Sequence, residues 1–283
     1  VTLSQALIFG GTHGNEWTGI YAIKQEEKAL NATFPELKIS FIHANPEAFK
    51  INQRFKDEDL NRAFEFLDEK RKGYEHERAR ELKKLITEHP GFVLDLHTTT
   101  SNMGKTLILT RPDPVNFHIA QLVAKKVSGT KIILSPDPEQ KYLVSQSSYG
   151  MMIEVGPVPQ GVLSGMAYED TLKLIKATLE ALSDEKSIPE GEVEVYQEIE
   201  DVYYPLDHHQ ELSAYIHPDF QGTDFKQVLG KYFPFRDFSG ADIEKEVAQP
   251  LYPIFINEAA YYPKKLAYSL CEKKTISYNA SPL

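Results

Sequence analysis

Cysteine is almost missing from this chain. Of 283 residues only Cys271 carries a thiol, which excludes an intrachain disulfide and any cysteine-based zinc module and suits a reducing compartment. Long apolar runs are missing too. No segment approaches the roughly 18 apolar residues of a membrane span. The opening VTLSQALIFGG has neither the basic start nor the long apolar core of a signal peptide. A cytoplasmic, soluble globular protein is therefore expected. Positive charge is scarce: 31 Lys and Arg stand against 41 Asp and Glu, a formal charge of −10. Such a balance disfavours nucleic acid and anionic membrane as partners. An anionic substrate would need a local cluster of Arg and Lys set against that field. Familiar nucleotide and nucleophile motifs are absent as well. Met103-Gly104-Lys105-Thr106 looks like the end of a P-loop, but Thr99 stands where its first Gly belongs. Gly10-Gly11-Thr12-His13-Gly14 does not fit the dinucleotide fingerprint. There is no G-x-S-x-G elbow, and His76-Glu77 is followed by Arg80 rather than a second His. Metal chemistry and non-enzymatic binding remain.

What is present is an alternation. Short apolar runs at 6–9, 39–43, 92–96, 106–109, 132–134 and 151–155 read as strands covered on both faces. Residues 75–89 carry Ala79, Leu82, Leu85 and Ile86 at helical spacing, and 116–127 and 167–182 read as further helices. Strands alternating with helices predict an α/β domain over residues 1–188, with a mixed sheet flanked by helices. The pattern changes at a polar, Pro- and Gly-containing link, 184–191. Beyond it, 193–199 approximates two-residue alternation, followed by apolar stretches at 214–217 and 251–257. Residues 189–283 are expected to form a smaller, mostly β domain.

GGTHGNE (10–16) leaves the first strand with two adjacent glycines and a His and a Glu three residues apart. Alone, the pair suits a tight turn as well as a metal site. Zinc hydrolases commonly use three ligands from His and Asp or Glu, leaving one position open, and ligands gather at strand exits in open α/β sheets. His97 ends the apolar run 92–96 and is the third candidate. Asp95, two residues before it on the same side of the strand, could accept its other ring N–H. Glu154 interrupts an apolar strand just before Gly156-Pro157, where a carboxylate is costly without a partner or a task; it is the candidate general base. Arg54 opens a loop ending in Asn61-Arg62 and could serve a carboxylate or an oxyanion. From that window alone a charged surface loop is the better reading.

Taken together, these segments resemble the aspartoacylase family, within the succinylglutamate desuccinylase/aspartoacylase branch of the zinc carboxypeptidase-like hydrolases. The matching stretches are GGTHGNE (10–16), the loop 54–62 ending DLNR, DLHTTTSNMG (95–104), IEVGPVPQGVL (153–163) and YPIFINEAAYY (252–262), five segments in order along nearly the whole chain. The resemblance implies one zinc ion per chain, held by His13, Glu16 and His97, with Glu154 as general base and Arg54 polarising the scissile carbonyl. It implies that Asn61 and Arg62 hold the amino acid's carboxylate, that Tyr261 reaches in from the C-terminal domain, and that Lys264 adds positive charge. Tyr142 matches a substrate-binding Tyr. Gln146 stands where aspartoacylase has a second carboxylate-binding Arg, and so brings no charge. The substrate class implied is a small anionic N-acyl amino acid, first N-acetyl-L-aspartate, cleaved to acetate and L-aspartate. The alternatives are a deacylase of N-acyl aromatic or neutral amino acids, and a metal- or carboxylate-binding module without turnover. A homo-oligomer is compatible with each.

Overall fold

The computed structural model of the chain describes residues 3–65, 71–184, 187–279 and 281–282; Val1, Thr2 and, within the link, Glu185 and Lys186 lie outside them. In chain order the first region holds β1 (Gln5–Gly10), α1 (Trp17–Thr33), β2 (Lys38–His43), α2 (Pro46–Lys50), α3 (Leu60–Ala63), α4 (Tyr74–Glu88), β3 (Phe92–Thr98), β4 (Gly104–Leu109), α5 (Pro114–Lys126), β5 (Lys131–Leu134), β6 (Tyr149–Gly156) and α6 (Gly165–Asp184). Then come β7 (Ser187–Ile188), β8 (Gly191–Tyr203), β9 (Ala214–Ile216), β10 (Val228–Asp237), β11 (Asp242–Ile254), β12 (Leu266–Tyr278) and β13 (Ser281–Pro282). All six apolar runs fall within β1 to β6; the stretch 167–182 falls within α6, and 75–89 and 116–127 each run one residue past the ends of α4 and α5. Of the longer helices among the described residues, α1 is the one that periodicity did not mark; the short α2 and α3 and strands β10 and β12 were not marked either. The buried face of α1 starts with the small residues Thr18, Gly19 and Ala22, which give little amphipathic contrast.

The main sheet has eleven strands in the order β2-β1-β3-β6-β4-β5-β8-β12-β11-β10-β9. Strands β2, β1, β3 and β6 run parallel, β4 runs antiparallel to β6, and β5 returns parallel to β4. The mixed sheet expected from the sequence is thus found. It does not stop at the link, because β8 pairs with β5 and carries the sheet into the antiparallel strands β12, β11, β10 and β9.

Two-residue alternation sorts the strand side chains between two cores. Ala6 and Ile8 of β1, Leu94 and Leu96 of β3, and Met151, Ile153 and Val155 of β6 join α1, α5 and α6 in one cluster. Leu7, Phe9, Val93 and Met152 point the other way and pack with α3 and α4. The Asp95–His97 and Met152–Glu154 pairs keep this second direction, so the polar members emerge at the strand ends on the α4 side. A third cluster, built around Tyr268, Phe235 and Val202, serves the antiparallel strands. Among the described residues no helix is long and apolar enough to cross a membrane.

Candidate metal centre and active site

The turn after β1 is shaped by its glycines. Gly11 has φ +74°, which L side chains rarely adopt. A Cβ on Gly14 would come within 2.2 Å of the Ala48 backbone. The close approach this permits folds the chain back, so that His13 and Glu16 meet over the end of β3. There His13 Nδ1 lies 2.6 Å from Glu16 Oε1, and His97 Nδ1 lies 2.9 Å from Glu16 Oε2. The three side chains are buried, and their candidate donor atoms lie within 4.8 Å of one another.

The outer ring nitrogens are held by other acids. His97 Nε2 meets Asp95 Oδ2 at 2.8 Å, and Asp95 Oδ1 accepts from Thr12 Oγ1 at 2.6 Å. His13 Nε2 lies 3.2 Å from Asp59 Oδ1. Each imidazole therefore turns Nδ1 inward and has a carboxylate on Nε2, the arrangement that fixes the tautomer of a metal-ligating His. Two imidazoles, one carboxylate and two outer carboxylates are a donor set that fits a zinc ion. Charge follows the same pattern. Burial works to raise the Glu16 carboxyl, but the two imidazoles hold it far below the usual carboxylate range. Burial likewise opposes charge on His97, yet Asp95 and Glu16 raise it well above an ordinary His. A cation at this point would replace that proton.

Strand register sets the candidate general base, Glu154, beside this group. In the parallel pair of β3 and β6, His97 lies opposite Glu154. Glu154 is 9% exposed and its Oε1 has no hydrogen-bond partner. Burial, with the nearby Glu16 and Glu258 carboxylates, pushes its carboxyl well above the usual range, against the pull of His97 and Arg54. A carboxyl left in this state costs stability and is fitted to accept and return a proton.

The Arg loop is an organised structure. Glu75, fully buried at the start of α4, accepts from the backbone N–H groups of Lys56, Asp57 and Glu58 at 2.7, 3.0 and 3.3 Å. Asp59 caps α3 through Asn61 N and also receives Arg54 Nε at 3.0 Å. Arg54 NH1 reaches Glu16 Oε1 at 3.4 Å. Asn61 is pinned by Leu143 N donating to its Oδ1 at 2.9 Å, and the Arg62 guanidinium lies over the Tyr142 ring at 4.8 Å. By its own residues this window reads as a charged loop, because nothing local reveals Glu75 beneath it; the family resemblance is what points to Arg54, Asn61 and Arg62.

These groups converge on a cavity of about 110 Å³. His13, His97, Glu154, Arg54, Asn61 and Arg62 line it, as do Tyr142 and Tyr261. Of the expected substrate-binding residues, Gln146 and Lys264 are not among its walls. The Gln146 amide donates to the carbonyls of Gln140 and Tyr142 at 2.5 and 3.1 Å, folding back on its own turn. Lys264 is exposed; partial burial and the charges of Arg62 and Arg54 depress its amine, despite the pull of Asp59. The remaining walls were not foreseen: Ile108, Ile133, Met152 and Phe255, with Ser135 and Glu198. Glu258 was also missed. Its Oε2 accepts from Thr99 Oγ1, from Thr100 N and Oγ1 at 2.8 and 2.9 Å, and from Ser101 N at 3.3 Å. It thereby ties the segment carrying Tyr261 to the loop just after His97.

The sequence profile of the succinylglutamate desuccinylase/aspartoacylase catalytic domain matches residues 2–182. That of the barrel-sandwich hybrid domain matches 191–273. The chain is 34% identical to a probable aspartoacylase of Trichodesmium erythraeum, over 97% of this chain and 98% of that protein. It is also 34% identical to the human N-acyl-aromatic-L-amino acid amidohydrolase (carboxylate-forming), over 99% and 94%. The crystal structure of murine aminoacylase 3 superposes with a TM-score of 0.90 at 30% identity, covering 100% of this chain and 99% of that one. The chain belongs to the succinylglutamate desuccinylase/aspartoacylase family.

Proposed function

We propose that this protein hydrolyses the amide bond of an N-acyl amino acid, releasing a carboxylate and the free amino acid, with one zinc ion per chain at His13, Glu16 and His97. The observation that carries the reading is Glu154: a buried carboxyl with an unpartnered oxygen, in register with His97 and facing the cavity that Arg54, Asn61 and Arg62 also line. Relatives named for aspartoacylase and N-acyl-aromatic amino acid amidohydrolase activity support it.

When bound, zinc supplies the Lewis acidity that makes water nucleophilic at neutral pH. Glu154 takes a proton from the attacking water as its oxygen bonds to the amide carbon. Arg54, kept charged by Asp59 and Glu16 against burial, donates to the developing oxyanion. As the C–N bond breaks, Glu154 returns the proton to the leaving nitrogen. Asn61 and Arg62 hold the α-carboxylate, with the Arg62 fork positioned by the Tyr142 face. Tyr261 bounds the site from the C-terminal region and excludes water. The required positive cluster on an acidic protein is then Arg54 with Arg62.

The test is metal content together with carboxylate release from a panel of N-acetyl amino acids. One zinc per chain is expected, with hydrolysis that stops on chelation and returns on adding zinc. Full activity in the metal-free protein, or bound zinc with no hydrolysis across the panel, would contradict the reading; the second result would favour a binding module.

A further inference from the structure

Ser135 and Glu198 line the same cavity, and the hydrolysis proposed above assigns them no step. Ser135 follows β5, whose Leu134 pairs with Gln197 of β8, and this register brings the two side chains together. Ser135 Oγ donates to Glu198 Oε2 at 2.5 Å. Among the described residues Glu198 forms no ion pair. The same two residues, with Tyr142, also line an outer groove that includes Lys141, Glu200 and Asp201. Glu198 therefore stands in the wall where the cavity meets an acidic surface.

Strand order lays out the path to it. From Glu154 on β6 the sheet proceeds through β4 and β5 to β8. The walls met on the way are Met152 on β6, Ile108 on β4 and Ile133 on β5, with Phe255 beside them in the same apolar cluster. One end of the cavity is thus reactive, the middle is an apolar sleeve, and the far end is a half-buried carboxylate with a hydroxyl.

The anchor for the α-carboxylate tells which part of the substrate faces that end. Arg62 lies over Tyr142, and Tyr142 lines both the cavity and the groove alongside Glu198. With a carboxylate on Arg62, the amino acid's side chain has Glu198 within the same cavity wall to run toward. The acyl group lies across the scissile bond.

We propose that Glu198 is a specificity-determining residue that selects N-acyl amino acids with a straight cationic side chain, of the lysine or ornithine type. The proposal rests on the deacylase reading of the same site. The methylenes run along Ile108, Ile133 and Met152, as long cationic side chains do over apolar surface. The terminal ammonium donates to Glu198 and to Ser135 Oγ, and Ser135 can turn its own proton away. An acidic side chain would set a second carboxylate against Glu198, and an apolar one would desolvate Glu198 without a partner.

The experiment compares wild type with Glu198→Gln and Glu198→Ala. The kcat/KM is measured for N-acetyl-L-lysine, N-acetyl-L-norleucine, N-acetyl-L-phenylalanine and N-acetyl-L-aspartate, with calorimetric binding of the free amino acids alongside. Wild type is expected to favour lysine over norleucine. Either substitution should remove about 10- to 100-fold of that ratio, as for loss of one charge-assisted hydrogen bond, by lowering lysine turnover and relieving the penalty on norleucine. A wild-type preference for aspartate or phenylalanine, or a lysine-to-norleucine ratio unmoved by both substitutions, would overturn the proposal. Lysine binding that depends on Glu198, with no turnover of any substrate, would support the pocket assignment and overturn the deacylase reading. Absence of both turnover and Glu198-dependent binding would overturn the two together.

Discussion

Strands β1, β3 and β6 run parallel and end together, and His13, Glu16, His97 and Glu154 come from those ends. Beyond residue 190 the strands pair antiparallel with one another, β8 alone also running parallel to β5, and the region brings Glu198, Phe255 and Tyr261 to the same cavity from β8 and from the segment after β11. The first set is fixed by neighbouring strands in a continuous ladder. The second depends on how a distant segment docks. The groups proposed to react thus sit on the rigid part of the fold, where small displacements cost most in rate. Phe255 and Tyr261, by contrast, sit on a segment tied to the first region through Glu258 and residues 99–101, while Glu198 is carried by β8, which is paired to β5.

Glu258 is where this contrast breaks most readily. Its carboxylate accepts from Thr99, Thr100 and Ser101, and its backbone carbonyl accepts Tyr261 N–H at 3.0 Å. Replacing Glu258 by Ala leaves several buried donors unpaired. We expect a loss of about 1–3 kcal/mol in urea unfolding, with reduced kcat/KM and zinc still bound. Zinc lost along with stability would mean that the two regions are not separable in this way. A smaller effect sharpens the comparison from the other side. Because the Gln146 amide is turned toward Gln140 and Tyr142, Gln146→Ala should change kcat/KM on any N-acetyl amino acid by no more than about 2- to 3-fold. A tenfold change confined to KM would show that Gln146 swings in to meet substrate.

The same contrast separates what was legible in the sequence from what was not. His97 and Glu154 stood out because a polar residue at the end of an apolar strand has no cheap structural explanation. The strands and the three periodic helices stood out because burial repeats with the period of the element. Asp59, Glu75, Glu198 and Glu258 did not. Asp59, Glu75 and Glu198 are each set among other polar or charged residues, as in Gln197-Glu198-Ile199-Glu200-Asp201, and there read as solvated surface, while Glu258 follows Asn257 as an ordinary turn acid would. What distinguishes them arrives from elsewhere in the chain: the loop 56–58 wraps Glu75, Ser135 meets Glu198, and the 99–101 backbone meets Glu258. Arg54 was undervalued for the same reason, since Asp59 and Glu16 fix its direction only once the sheet has formed.

The central claim is that Glu154 does the proton chemistry while His13, Glu16 and His97 alone hold the metal. Zinc content and kcat measured on the same preparation of Glu154→Gln test it most directly. One zinc per chain with kcat reduced at least about 100-fold, the lower end for loss of a general acid–base, is the expected result. Near-normal kcat, or loss of zinc with the substitution, would contradict it.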